Sequence, residues 1–391
     1  MFPRRLYPLL KEHLESPHIT VLTGMRRTGK TTAIKYLMGE LVSENKLYLD
    51  FERLDNRDLF SQKNYDSIAN SLEQFGIDLS KKSYLFLDEI QLVKNIPSVL
   101  KYLYDHYKIK FVVTGSSSYY LKNFFSESLS GRKRIFELYP LDFSEFLDFK
   151  GAPHTDADFL EKDFNVHEYE RLRGYYEEYV TFGGFPEVVL IPKAEDKKSL
   201  LFDILDSYTR IDIKTLADFR NLDNVQNLLK MLSQRVGTKI DYAKMARLSG
   251  MTRETVKNYM DFFEQTYIIA RVPVLTNNPD REIVKAKKLY FCDNGLLDIL
   301  ADTSSGSKFE NAVFNQLRHH GLIQYYSTKS GREIDFILDG KVALEVKESP
   351  VFQDGKKLGK LSELAGVKKH RLVGRSEVPN FEGYIWGGEI R

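Results

Sequence analysis

A single cysteine, Cys292, stands in the whole chain of 391 residues. An intrachain disulfide and a zinc site built on several thiolates are therefore excluded; no disulfide-linked partner is expected, and the chain suits a reducing cytoplasm. No apolar run approaches the roughly 20 residues that a bilayer span needs, so no membrane role is indicated. The first ten residues include basic and leucine side chains, but Pro3 and Pro8 interrupt them, and no apolar stretch or small-residue cleavage site follows. That argues against an export signal. Neither sign of charge is in excess: the formal net charge is +2. Contact with nucleic acid must then come from a local basic patch. Histidine is sparse, eight in all with only His319 and His320 adjacent, and none is assigned catalysis.

What the chain does hold is 42% hydrophobic and 29% charged residues, the balance of a globular protein, over a length that predicts two to four domains. It is organised around residues 23–32. Gly24, Met25, Arg26, Arg27, Thr28, Gly29, Lys30 and Thr31 spell GxxxxGKT, followed by Thr32. An apolar run at 19–22 reads as a strand before them and 33–41 reads as a helix after them, the context a P-loop requires. Gly24 and Gly29 let the backbone turn its N–H groups toward phosphate oxygens, Lys30 reaches the β- and γ-phosphates, and the Thr31 hydroxyl holds Mg²⁺. The expected ligand is ATP, cradled by Gly24, Arg26, Arg27, Thr28, Gly29, Lys30, Thr31 and Thr32.

Downstream, residues 46–52 alternate as a second strand, and YLFLDEI at 84–90 reads as a buried strand ending in two acids. Behind a P-loop, Asp88 is expected to complete the Mg²⁺ shell and Glu89 to orient the attacking water. KFVVTGSSS at 110–118 is a further strand. In a sheet that inserts one strand between P-loop and acidic strand, its polar tip lies near the γ-phosphate; Ser116 is the sensor candidate, with Thr114 and Ser117 as competitors. Arg132, beside Gly131, is a candidate to stabilise phosphoryl charge in cis or in a neighbouring subunit, the alternative being a solvated basic turn.

GMRRTGKTT, LFLDEI, VTGSSS, SGR followed by YPLDFSEF, and GGFPEV at 183–188 occur in that order. Together they resemble a widespread group of archaeal and bacterial AAA-type ATPases with a C-terminal module similar to restriction endonucleases. The resemblance covers essentially the whole chain and rests on the order of the motifs.

From 143 to 235 the pattern becomes helical, including 168–182 and 197–216, and reads as a lid and spacer in which Gly183, Gly184 and Pro186 serve as punctuation. Residues 241–265 have the form of a helix-turn-helix, with Gly250 in the turn and Thr252 capping the second helix. Thr252, Arg253, Lys257 and Asn258 are the candidate DNA contacts, and 267–275 supplies a strand that begins a wing. A protein-contacting spacer is the competing reading.

A turn-rich break at 277–280 and a Ser/Gly linker at 303–307 place the start of a new domain near Ser304. A helix at 308–320 carries Glu310, and EIDFIL at 333–338 and VALEVK at 342–347 flank Asp339 and Gly340 as a β-hairpin. Ile334, Phe336, Leu338, Val342, Leu344 and Val346 all fall at even positions, so a three-residue loop with Gly340 left-handed is needed to keep them on one face. Glu333, Asp335, Glu345 and Lys347 then project from the other, with Asp335 and Glu345 near enough to share a divalent ion. Two carboxylates and a lysine are what metal-assisted phosphodiester hydrolysis requires: Asp335 and Glu345 bind Mg²⁺ or Mn²⁺, Glu310 adds a ligand, and Lys347 positions water or stabilises charge. The pattern resembles the PD(D/E)xK nuclease superfamily, with Ile334 where that family has proline.

The expected fold is therefore α/β multidomain. A P-loop (ASCE/AAA-type) parallel-sheet core spans 1–142, a helical lid and spacer 143–235, and a winged helix-turn-helix 236–276. A linker and strand at 277–303 lead to a restriction-endonuclease-like α/β domain at 304–391. The expected function is an ATP-hydrolysing DNA-binding protein whose nucleotide state controls DNA engagement, with a Mg²⁺- or Mn²⁺-dependent endonuclease site. The alternative is a regulatory ATPase switch whose nuclease-like domain only binds DNA or protein. Self-association is left open.

Overall fold

The computed structural model describes residues 2–115, 129, 131–156, 158–161, 164–213, 222–276, 285–376 and 383–391. They divide into two compact units, Pro3–Tyr139 with Gln265–Tyr267, and Pro140–Glu264 with Ile268–Arg391.

The first unit is built on a parallel sheet of β1 (Ile19–Thr23), β2 (Lys46–Asp50), β3 (Ser83–Asp88), β4 (Ile109–Gly115) and β5 (Lys133–Glu137), in the order β2-β3-β4-β1-β5. Alternate side chains serve two cores. Val21, Leu85, Leu87, Phe111 and Val113 pack with residues of helices Leu54–Phe60, Tyr65–Gln74 and Ile96–His106. Leu22, Tyr84, Phe86 and Val112 pack with helices Leu6–His13 and Lys30–Glu40. Burial along their whole length explains why β1, β3 and β4 read as largely apolar runs, whereas the outer strands β2 and β5 do not. The strand inserted between the P-loop strand β1 and the acidic strand β3 is β4.

In the second unit, β6 (Ile269–Val272) pairs antiparallel with β7 (Lys288–Phe291). A five-stranded sheet runs β12-β11-β10-β9-β8, comprising β8 (Ile323–Ser327), β9 (Glu333–Leu338), β10 (Val342–Lys347), β11 (Lys369–Gly374) and β12 (Tyr384–Trp386). The meander β8-β9-β10 is antiparallel, whereas β11 and β12 add in parallel after the crossover helix Phe352–Ala365. An aromatic cluster anchors the helical part: Phe143 and Trp386 stand edge-on to Tyr176, with centroids 4.9 and 5.3 Å away.

Beyond residue 142 the structure shows how the expected segments are held. Within the expected linker and strand at 277–303, the described residues 285–303 are tied in: β7 pairs with β6, and Asn294 Nδ2 of helix Asn294–Leu300 donates to the Val180 carbonyl at 2.8 Å. The Ser/Gly stretch at 303–307 is a helix start, with Ser304 Oγ accepting from Ser307 N at the head of helix Ser305–Leu317. Gly183 and Gly184 do more than punctuate. A Cβ on Gly183 would lie 2.3 Å from the Asp293 carboxylate, and one on Gly184 would lie 2.1 Å from the Leu141 carbonyl oxygen. The turn at 277–280 lies outside the described residues.

Candidate nucleotide site and carboxylate cluster

β1 leads directly into the loop of residues 24–29 and helix Lys30–Glu40. The loop needs left-handed backbone at Gly24 (φ 154°), Arg27 (62°) and Gly29 (95°). A Cβ at Gly24 would stand 2.1 Å from the Leu138 carbonyl oxygen, so only glycine fits there. Lys30 is 4% exposed, and its Nζ donates to the carbonyls of Gly24 and Met25, each at 3.0 Å. Thr28 Oγ1 closes the loop on Met25 O at 2.9 Å. Arg26 is half-buried, and Arg27 and Thr32 are exposed.

The acidic strand meets the loop at one carboxylate. Asp88 Oδ2 accepts from Thr31 Oγ1 at 2.7 Å and from Tyr48 OH at 3.0 Å, and Oδ1 accepts from Thr114 Oγ1. Burial and then the Asp88 charge raise the Tyr48 phenol, keeping it a donor. Thr114 Oγ1 also accepts from Glu89 N at 3.0 Å. Glu89 has left-handed backbone (φ 54°, ψ 47°) and accepts from Gln91 Nε2. One hydroxyl on β4 thus links Asp88, the last residue of β3, to Glu89 just after it. Ser116 and Ser117 lie outside the described residues; the residue placed at the acids is Thr114.

Arg132 is not brought to this end of the sheet. Its carbonyl accepts from Ile19 N at 2.8 Å, and its guanidinium pairs with Asp105 (Nε–Oδ1 3.2 Å). Ile19 is the first residue of β1 and Thr23 the last, a strand length of roughly 13 Å. Arg132 therefore sits at the strand N-termini, opposite the loop, and the cis role is corrected on that ground. Arg4, which local patterning does not single out, braces the loop instead, donating to Thr28 O at 2.9 Å and Tyr139 O at 2.8 Å.

In the second unit, helices Tyr242–Ser249 and Arg253–Gln265 are joined through Gly250, left-handed at φ 69°. Asp241 caps the first through Lys244 N at 2.9 Å, and Thr252 Oγ1 accepts from Thr255 N at 3.1 Å at the head of the second. Val256, Tyr259, Met260 and Phe263 face inward, leaving Thr252, Arg253, Lys257 and Asn258 exposed.

The hairpin pairs Leu338 with Val342 and Phe336 with Leu344 across a three-residue loop. Asp339 is left-handed as well as Gly340, at φ 50° and 66°. The placement of all six even-numbered apolar residues on one face fails at Ile334. The β8–β9 ladder shifts register between Gln324 and Tyr326, so β9 carries an extra residue and Ile334 joins Ile337 in one core with Ala343, Leu358 and Leu361. Both faces of the hairpin are covered, and the even-odd division does not hold along its length. Past Phe336 the ladder to β10 gives way to a side-chain bond, Val346 N donating to Asp335 Oδ2 at 3.1 Å.

Glu310, Glu333, Asp335 and Glu345 converge, but a lysine that sequence did not single out lies among them. Lys288 Nζ on β7 stands 3.0 Å from Asp335 Oδ1, 3.6 Å from Glu333 Oε2 and 3.9 Å from Glu310 Oε1. Burial alone would lower this ammonium; the facing carboxylates, Asp335 foremost, outweigh it and raise it. Tyr290 OH donates to Glu310 Oε1 at 2.7 Å, and Lys347 Nζ pairs with Glu345 Oε1 at 3.0 Å. Burial, then the Asp335 charge, push the Glu310 and Glu345 carboxyls upward. Among the described residues no group of three or more His, Cys, Asp or Glu is placed to hold a metal ion, so the expected set of Glu310, Asp335 and Glu345 is not assembled as one. No helix among them is long and apolar enough to cross a membrane.

A family model described as an AAA domain matches residues 16–147, and a domain of unknown function (DUF8612) matches 173–307. Uncharacterized protein MJ1544 of Methanocaldococcus jannaschii is 30% identical over 338 residues, which span 83% of this chain and 72% of that protein. An uncharacterized protein of Haemophilus influenzae is 26% identical over 356 residues, 86% of this chain and 84% of its own. The solved structure of the Aeropyrum pernix ORC1 protein in complex with DNA covers 76% of this chain and 91% of its own, at 14% identity and a TM-score of 0.32, too loose a likeness to carry an argument. The chain belongs to the family of MJ1544, and its first unit makes it an AAA-type P-loop ATPase.

Proposed function

We propose that this ATPase is a nucleotide-controlled switch that engages DNA through the exposed face of helix Arg253–Gln265. The observation that carries the nucleotide half is the junction at Asp88, where the P-loop threonine, the acidic strand and the tip of β4 share one carboxylate. Lys30, held on loop carbonyls, is the cation for the β- and γ-phosphates; Thr31 and Asp88 are the oxygens for Mg²⁺; Glu89 orients the attacking water. Mg²⁺, when bound, neutralises charge between the terminal phosphates. Thr114 bonds to both Asp88 and the Glu89 amide, so a change at either acid reaches β4 through one hydroxyl.

Thr252, Arg253, Lys257 and Asn258 supply the DNA contacts in this reading: exposed donors on the second helix of a capped pair, with the β6–β7 ribbon following. The C-terminal sheet acts as a binding platform rather than a cutter, since its carboxylates hold internal donors instead of standing open. Arg132 is retained only as a candidate for action in a neighbouring subunit.

The test is DNA binding by full-length protein with and without ATP and Mg²⁺, comparing wild type with Lys30→Ala. Wild-type affinity that changes with nucleotide, and a Lys30→Ala protein that neither hydrolyses ATP nor responds, would support the switch. Equal DNA affinity in every nucleotide state would overturn it. Metal-dependent cutting that vanishes in Lys347→Ala would replace the platform reading with the nuclease one.

A further inference from the structure

The Lys288 side chain is 3% exposed and has Asp335, Glu333 and Glu310 around its ammonium at 3.0, 3.6 and 3.9 Å. A buried charge is tolerated only when paired, and this one is paired by several carboxylates at once. Most of the remaining capacity of the cluster is taken. Asp335 Oδ2 accepts the Val346 N–H, Glu310 Oε1 accepts the Tyr290 hydroxyl, and Glu345 Oε1 faces the Lys347 ammonium. Glu345 Oε2 is buried without a hydrogen-bond partner.

We propose that Lys288 is the built-in cation of this cluster, standing where a divalent ion would otherwise bind, so that the wild-type domain holds no divalent metal there. The ammonium is tethered to β7, whose neighbours Leu289 and Tyr290 are buried, and β7 is pinned by its ladder to β6. A tethered cation competes at high effective concentration with any ion arriving from solution. It also supplies a single charge and hydrogen-bond donors, which secures the carboxylates without presenting an open coordination position. Glu345 keeps Lys347 and Glu333 keeps Lys239, but removing Lys288 would take from Asp335 and Glu310 the ammonium that faces them, a loss relieved by protonation or by a metal. A neutral side chain of similar length at position 288 is thus expected to create the metal site that the sequence pattern suggests. The inference deepens the platform reading of this domain and is independent of the ATPase assignment.

The experiment titrates Mn²⁺ into nucleotide-free full-length protein and follows free Mn²⁺ by electron paramagnetic resonance. Wild type is expected to leave millimolar Mn²⁺ free. Lys288→Met is expected to bind one ion at least about tenfold more tightly than wild type, and Lys288→Met with Asp335→Asn to lose that gain. Lys288→Gln serves as a second neutral variant, and for both the melting temperature should rise with Mn²⁺ while that of wild type does not move. Wild-type binding that Asp335→Asn abolishes would overturn the proposal, and this arm decides even where the variants fold poorly. Folded Lys288→Met and Lys288→Gln proteins with no added affinity would overturn it too. A wild type that binds Mn²⁺ here yet keeps nucleotide-controlled DNA binding sinks this inference alone.

Discussion

At the scale of single residues, what sequence discloses depends on whether a role is local. Lys30 and Thr31 are legible because a phosphate-cradling loop needs fixed spacing along the chain. Arg4, Tyr48 and Lys288 are not, because each reaches its partner across the fold, and in KAKKLYF nothing marks which lysine turns inward. Arg132 shows the opposite error: a glycine and a basic run suggested phosphate, but β5 begins there, and a parallel strand begins at the edge remote from the loop. Arg132→Ala is therefore expected to leave ATP hydrolysis unchanged in dilute, monomeric protein; a loss confined to concentrated protein would mark action between subunits. Thr114→Val removes the hydroxyl that joins Asp88 to the Glu89 amide. Nucleotide binding should persist while hydrolysis falls about tenfold or more, the cost of a lost buried hydrogen bond of roughly 1–3 kcal/mol applied to the attack geometry. Single-turnover hydrolysis beside a fluorescent-nucleotide titration separates the two.

At the scale of elements, parity was informative where backbone pairing is regular. The apolar residues at even positions demanded a three-residue loop between β9 and β10, and Leu338 pairs with Val342. Parity failed beyond Phe336 because the bulge adds a residue, and no side-chain pattern announces a bulge. The helix pair was legible through Gly250 and Thr252, which act at the termini that meet in its turn, whereas the Asp241 cap of the first helix was not anticipated. Its function is testable through salt. If Arg253 and Lys257 each neutralise a phosphate, the double variant Arg253→Ala/Lys257→Ala should weaken DNA binding and flatten the plot of log affinity against log salt by about 1.8, at roughly 0.9 per contact. An unchanged slope would leave this face to a protein partner.

At the scale of the whole molecule, the parallel-sheet core could be anticipated from motif order, whereas the joining of β6, β7 and helix Asn294–Leu300 could not, because it rests on long-range pairing that turn-rich composition conceals. Titration also acts at this scale. Burial, then the Lys110 charge, lower the His13 imidazole from 6.5 to about 4, and burial, then Lys82, lower the Lys110 ammonium from 10.5 to about 7. Both folded values lie below the unfolded ones, so the stability they carry is present above 6.5 and 10.5 respectively and is lost as pH falls through each window. Melting temperature is expected to rise with pH from about 4 to 6.5 and again from about 7 to 10.5, and Lys110→Met should flatten the upper rise. A flat profile in wild type would refute this. Arg4 has one more consequence, in time rather than space. Its two acceptors, Thr28 and Tyr139, lie 24 and 135 residues downstream. During synthesis the phosphate loop emerges early yet lacks the second of these braces until Tyr139 has left the ribosome, so ribosome-held chains ending before β5 should retain no nucleotide, while chains well beyond Tyr139 should.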